Sequence, residues 1–114
     1  MTTPAVQSLG ADVSVAAQIS PADVAALARA GFKSIVNNRP DFEAGPDQPT
    51  ADAIGAAAKV AGLAYAHLPV SPAVQTADEI ARFAELLREL PKPILAFCRS
   101  GTRSGNLYRA AITL

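Results

Sequence analysis

The sequence has a single cysteine, a single histidine and no tryptophan among its 114 residues. One thiol builds no disulfide framework, and Cys98 with His67 is too small a set for the multi-cysteine kind of zinc site. A lone thiol suits a reducing compartment. Charge of one sign is missing as well: ten Lys and Arg balance ten Asp and Glu, and the aromatics are two Tyr and four Phe. With no basic run either, the electrostatic footprint of a nucleic-acid binder is absent. Residues 1 to 9 carry no basic segment followed by an apolar one, and no later apolar run reaches bilayer length, so a cytoplasmic, membrane-free protein is expected.

What is present is a chain that is half hydrophobic. At this length a globular chain buries roughly two thirds of the surface its unfolded form exposes, enough for one core and too little for two. A single domain over residues 1 to 114 is therefore expected.

Turn and cap signals divide it. β-Branched residues suggest a strand at Val13 to Ala17, and Ser20 before Pro21 caps a helix running to Ala30, with Gly31 at its exit. Lys33 to Asn37 reads as a buried strand around Ile35 and Val36. A polar, turn-rich stretch from Asn38 to Pro49 is a loop, after which Thr50 caps an Ala-rich helix ending at Gly62. Leu63 to Val70 is a third strand. Thr76 and Glu79 have capping-box spacing, and Ile80, Phe83, Leu86, Leu87 and Leu90 recur at helical intervals up to Pro91. Ile94 to Phe97 is a short apolar strand, and Ser104 to Leu114 a last helix of about three turns, short enough that stability is expected to suffer. This alternation predicts an α/β fold, a three-layer domain with a four-stranded, mainly parallel sheet and helices on both faces.

The chemistry concentrates at Cys98, Arg99, Ser100, Gly101, Thr102, Arg103 and Ser104. This run follows the last predicted strand and precedes the last helix, the place where open α/β sheets put their ligand sites. Backbone N–H groups of a glycine-bearing turn, aimed by a helix N-terminus, form an anion cradle, and an arginine fork adds paired donors. The same field lowers the pKa of Cys98 and populates its thiolate.

The run CRSGTRS (98–104), with NNRPDFE (37–43), QIS (18–20) and the order of elements, resembles the beta-lactamase hydrolase-like protein, phosphatase-like domain family over nearly the whole chain. The resemblance implies a compact relative of dual-specificity tyrosine phosphatases, a family in which some members are also described as rhodanese-like sulfurtransferases. It makes Cys98 the nucleophile, and Arg103 with the backbone from Arg99 to Ser104 the anion cradle.

Two departures bear on the reaction. Cys98 and Arg103 enclose four residues, one fewer than in tyrosine phosphatases, so the loop is similar to the CRSGxRS loops of small rhodaneses, which carry a persulfide. Second, Leu68 to Gln75, where such phosphatases carry an acidic residue, holds no carboxylate. Asp41, Glu43 and Asp78 are left as substitute proton donors, with Asp41 the catalytic candidate. Sulfur transfer requires no general acid, so the leading expectation is a rhodanese-type sulfurtransferase carrying a persulfide on Cys98. The alternatives are a phosphatase acting on phosphoric monoesters and a non-catalytic anion- or phosphopeptide-binding module. The substrate is a small anion (thiosulfate, a persulfide or a phosphate ester) bound with Arg99, Ser100, Gly101, Thr102 and Ser104; no cofactor or metal is called for, and nothing sets an oligomeric state. Arg39 is expected to pin its loop through Asp41 or Glu43, His67 to be a partly buried strand residue, and Ile80, Phe83 and Leu87 to be core.

Overall fold

A computed structural model describes residues 3–114. Its elements are β1 (Gln7–Ser8), β2 (Val13–Ala16), α1 (Pro21–Arg29), β3 (Ser34–Asn37), α2 (Ala51–Ala61), β4 (Ala64–His67), α3 (Ala77–Glu89), β5 (Ile94–Phe97) and α4 (Thr102–Ala111). The sheet order is β1-β2-β5-β3-β4, and β2, β5, β3 and β4 run parallel. The sheet thus has five strands rather than four, because β1 adds an antiparallel edge, pairing Gln7 with Val15 and Ser8 with Ser14. Both β1 residues are exposed, so no apolar pattern announces the strand.

Period-two alternation sorts the strand side chains between two cores. Ile94 and Ala96 of β5 join Val15 and Val36 in packing on Phe83 and Leu86 of α3 and Leu107 of α4. Leu95 and Phe97 join Ile35 in packing on Val24 and Leu27 of α1 and Ile54 and Ala58 of α2. All four β5 residues are buried because β5 is central and covered on both sides, which is why its sequence is an unbroken apolar run.

The helix starts are chemically explicit. Ser20 and Asp23 form a reciprocal capping box on α1, as Thr76 and Glu79 do on α3, and the Thr50 hydroxyl accepts from Ala53 N–H at 3.1 Å. Each such cap contributes about 1 kcal/mol. Gly62 ends α2 at φ 80°. The third strand is shorter than its apolar run implies: regular pairing stops at His67, although Leu68 and Val70 still donate to the Asn37 and Asn38 carbonyls at 2.8 and 3.0 Å. Among the described residues no helix is long and apolar enough to cross a membrane.

Candidate active site

Every parallel strand sends a loop from its C-terminal end to one rim of the sheet. The loop after β5 turns from Cys98 into α4. Gly101 takes φ 92°, a left-handed conformation that calls for glycine, while a Cβ there would only touch the Ala16 backbone at 3.4 Å. This turn starts α4 at Thr102, two residues earlier than Ser104. It also brings the Gly101 N–H to 3.1 Å from the Cys98 sulfur.

Cys98 is buried. Burial alone raises its pKa, but hydrogen bonds from the Ser104 N–H and hydroxyl and from the Ser100 and Gly101 amides outweigh it, and the net shift is downward from the ordinary thiol value. The Ser104 hydroxyl has one proton, which the sulfur shares with a second acceptor. That hydroxyl lies 2.8 Å from Asn38 Oδ1, while Asn38 Nδ2 donates to the Leu68 carbonyl at 3.1 Å. Ser104 and Asn38 are both buried, so the pair ties the start of α4 to the loop after β3.

Arg103 is buried and held from two sides. Its Nη1 and Nη2 donate to Glu43 Oε2 and Oε1 at 3.0 and 3.1 Å, and Nη1 also donates to the Val70 carbonyl at 3.0 Å. A guanidinium has five N–H bonds. The Nε–H and the second Nη2–H, adjacent on one edge, remain without a partner among the described residues, and that edge has the spacing of two oxygens on one anion.

Glu43 is shared with Arg39, whose Nε donates to Oε1 at 2.9 Å and whose Nη1 reaches Gln18 Oε1 at 3.1 Å. The Arg103 hydrogen bonds lower the Glu43 pKa most, burial opposes them, and Arg39 adds to the lowering. A carboxylate so held is a poor proton donor near neutral pH. Asp41 stands elsewhere: its Oδ1 accepts from Ala51 N–H at 2.7 Å at the start of α2, and it lines neither cavity described below. Between these two acids Phe42 takes φ 62°, rare for a non-glycine residue. Asp78 is exposed in the first turn of α3. His67 is exposed at the end of β4 rather than partly buried, its Nε2 2.9 Å from the Arg39 carbonyl.

Two cavities open on this rim. One, about 230 Å³, is lined by Pro72, Cys98, Arg99, Ser100, Thr102, Arg103 and Asn106. The other, about 330 Å³, is lined by Arg39, Glu43, Ala44, Pro72, Arg99 and Arg103. The structure therefore brings Cys98, Arg99, Ser100, Thr102 and Arg103 to one space, with the Gly101 amide and Ser104 against the sulfur. The sequence reading missed Glu43 as the partner of Arg103, Asn38 as the partner of Ser104, and the Val70 carbonyl; the NNRPDFE run held the only signal for the first two. No group of three His, Cys, Asp or Glu among the described residues is placed to hold a metal ion.

This architecture is that of phosphatase-like α/β enzymes. A protein from Neisseria meningitidis, provisionally named a phosphatase, superposes with a TM-score of 0.78 at 30% identity, over 90% of this chain and 72% of that one. The core catalytic domain of a PP-IP phosphatase from S. cerevisiae shares the fold, with a TM-score of 0.72 at 19% identity over 93% of this chain and 64% of its own. The chain belongs to the beta-lactamase hydrolase-like protein, phosphatase-like domain family, whose signature matches residues 5–113. It is 40% identical over 96 residues, 84% of its length, to the beta-lactamase hydrolase-like protein of Agrobacterium fabrum, and 44% identical over 82 residues, 72% of its length, to that of Xylella fastidiosa. It spans only 22% and 19% of those two proteins.

Proposed function

We propose that this domain hydrolyses a small phosphorylated substrate through a covalent intermediate on Cys98. The observation that carries the reading is the meeting, at one cavity, of a sulfur hydrogen-bonded for the thiolate with an arginine whose Nε–Nη2 edge is unspent. The phosphatase-like family and its structural neighbours support it. In the first step the thiolate attacks phosphorus, the P–S bond forms, and the P–O bond to the leaving group breaks with its electron pair on oxygen. Water then attacks phosphorus, the P–S bond breaks, and phosphate and the thiolate are released, with the water proton lost to solvent.

The acids near the rim restrict the substrate. Glu43 is clamped, Asp41 caps a helix, Asp78 is exposed in the first turn of α3 and lines neither cavity, and Leu68 to Gln75 has no carboxylate. A missing general acid costs on the order of 10²-fold or more where the leaving oxygen needs a proton. Aryl phosphates and phosphoanhydrides, whose leaving groups depart as anions, suit this site better than alkyl esters.

A second reading is sulfur transfer, favoured by the four-residue Cys98–Arg103 spacing together with that lack of a proton donor. There the thiolate attacks the sulfane sulfur of thiosulfate, the S–S bond breaks with sulfite leaving, and the Cys98 persulfide gives its outer sulfur to an acceptor nucleophile. One experiment separates the two: wild type and Cys98→Ser are assayed side by side with an aryl phosphate, following phenolate, and with thiosulfate plus cyanide, following thiocyanate. Cys98-dependent phenolate release supports hydrolysis. Thiocyanate with negligible phenolate overturns it in favour of sulfur transfer, and silence in both assays points to the binding module.

A further inference from the structure

The cavity that holds Cys98 is not closed on the far side. Pro72, Arg99 and Arg103 line it and also line the second cavity, so the two spaces adjoin and one molecule can span them. Attack at phosphorus uses only the first space. The second has a lining chemistry of its own: the guanidinium groups of Arg39 and Arg99 join Arg103, which it shares with the first space, around one carboxylate, Glu43, a net positive lining in a concave space.

The three arginines differ in freedom. Arg39 and Arg103 are buried and fixed by Glu43, with Gln18 and the Val70 carbonyl as further acceptors. Arg99 is exposed, and its side chain makes no hydrogen bond or ion pair among the described residues. An exposed guanidinium with its donors unspent, at the junction of two cavities, is placed to take an anion. Its planar fork matches the paired oxygens of a phosphate.

Resting on the reading that Cys98 attacks a bound phosphoryl group, we propose that the second cavity is a subsite for a second, unreacting phosphate of the same substrate, with Arg99 as the ligand that selects it. The substrate class is then a diphosphate or a closely spaced bisphosphate rather than a simple monoester.

Calorimetric titration of the intact chain with inorganic phosphate and with methylenediphosphonate, which is not hydrolysed, tests this. Wild type should bind the diphosphonate at least tenfold more tightly. Arg99→Ala should weaken both anions, since Arg99 lines both cavities, but the diphosphonate at least fivefold more than phosphate; Arg99→Lys should retain part of the preference, and Lys59→Ala, an exposed charge on α2, should leave it intact. A ratio near one in wild type, an equal loss of both anions in Arg99→Ala, or an equal loss of preference in Lys59→Ala overturns the subsite and leaves the Cys98 cradle standing. Failure of wild type to bind either anion overturns the cradle and the subsite together.

Discussion

Glu43 grips Arg103 with both carboxylate oxygens, at 3.0 and 3.1 Å, and so leaves one edge of the guanidinium for an incoming anion. The pair is sixty residues apart in sequence and asymmetric in burial, 7% exposed for the Arg103 side chain and 22% for Glu43. Removing the carboxylate strands a buried cation. Glu43→Ala is expected to lose about 2–3 kcal/mol of stability, below the roughly 3–5 kcal/mol for breaking a fully buried pair because Glu43 is partly solvated. Glu43→Gln should keep more stability yet lower kcat/KM roughly tenfold or more, since a neutral amide orients Arg103 less firmly. Urea unfolding and steady-state kinetics on both variants measure the two effects.

The same contact sets an acid limit. The native Glu43 pKa lies below its unfolded value near 4.5, so the carboxylate stabilises the fold fully above that value and the contribution is lost as pH falls through the native one. Urea midpoints measured from pH 6 to pH 3 should fall more for wild type than for Glu43→Gln. Parallel curves would show that the clamp carries no stability.

For Cys98 the lowered pKa predicts that iodoacetamide reacts along a titration curve centred below the ordinary thiol value of 9.0. Ser104→Ala removes one donor to the sulfur and should move that curve upward. It also unties Asn38, so a small stability loss of about 1 kcal/mol accompanies it. An unmoved curve would mean that the hydroxyl serves Asn38 alone.

Asp41 gives a contrasting prediction. As acceptor of the Ala51 N–H at 2.7 Å, it should cost about 1 kcal/mol of stability in Asp41→Ala and leave kcat within about threefold. A fall near 10²-fold with loss of the alkaline limb of the pH–rate profile would instead make Asp41 the proton donor.

Gly101→Ala tests the turn that aims its amide at the sulfur. With φ at 92°, the substitution should cost about 1–2 kcal/mol and raise the Cys98 pKa as the amide is displaced. Thermal melting and the alkylation profile report the two together.

What could be read from the sequence was local. The Cys98 to Ser104 loop is contiguous, and the capping boxes at Ser20 and Thr76 join residues three apart, so their chemistry is visible along the chain. Pairing across the sheet is not. Asp41 and Glu43 have the same charge and lie two residues apart, and nothing in their order says that one caps α2 while the other clasps Arg103; that division accompanies the left-handed Phe42 between them. Asn38 meets Ser104 across 66 residues only because β3 and β5 are neighbours. The edge strand β1 has two exposed residues and a partner whose pattern is already accounted for by β5.

The position of β5 also governs how the chain acquires its shape. It comes last of the five strands in chain order, yet it lies between β2 and β3. Without β5 no pairing joins β1-β2 to β3-β4, and each pair is left with an open inner edge. Such edges are the usual starting points for association between chains. The segment from β5 through α4 closes that gap, contributes to both cores and places Cys98, so a reactive thiol of lowered pKa is a signal that the whole sheet has assembled.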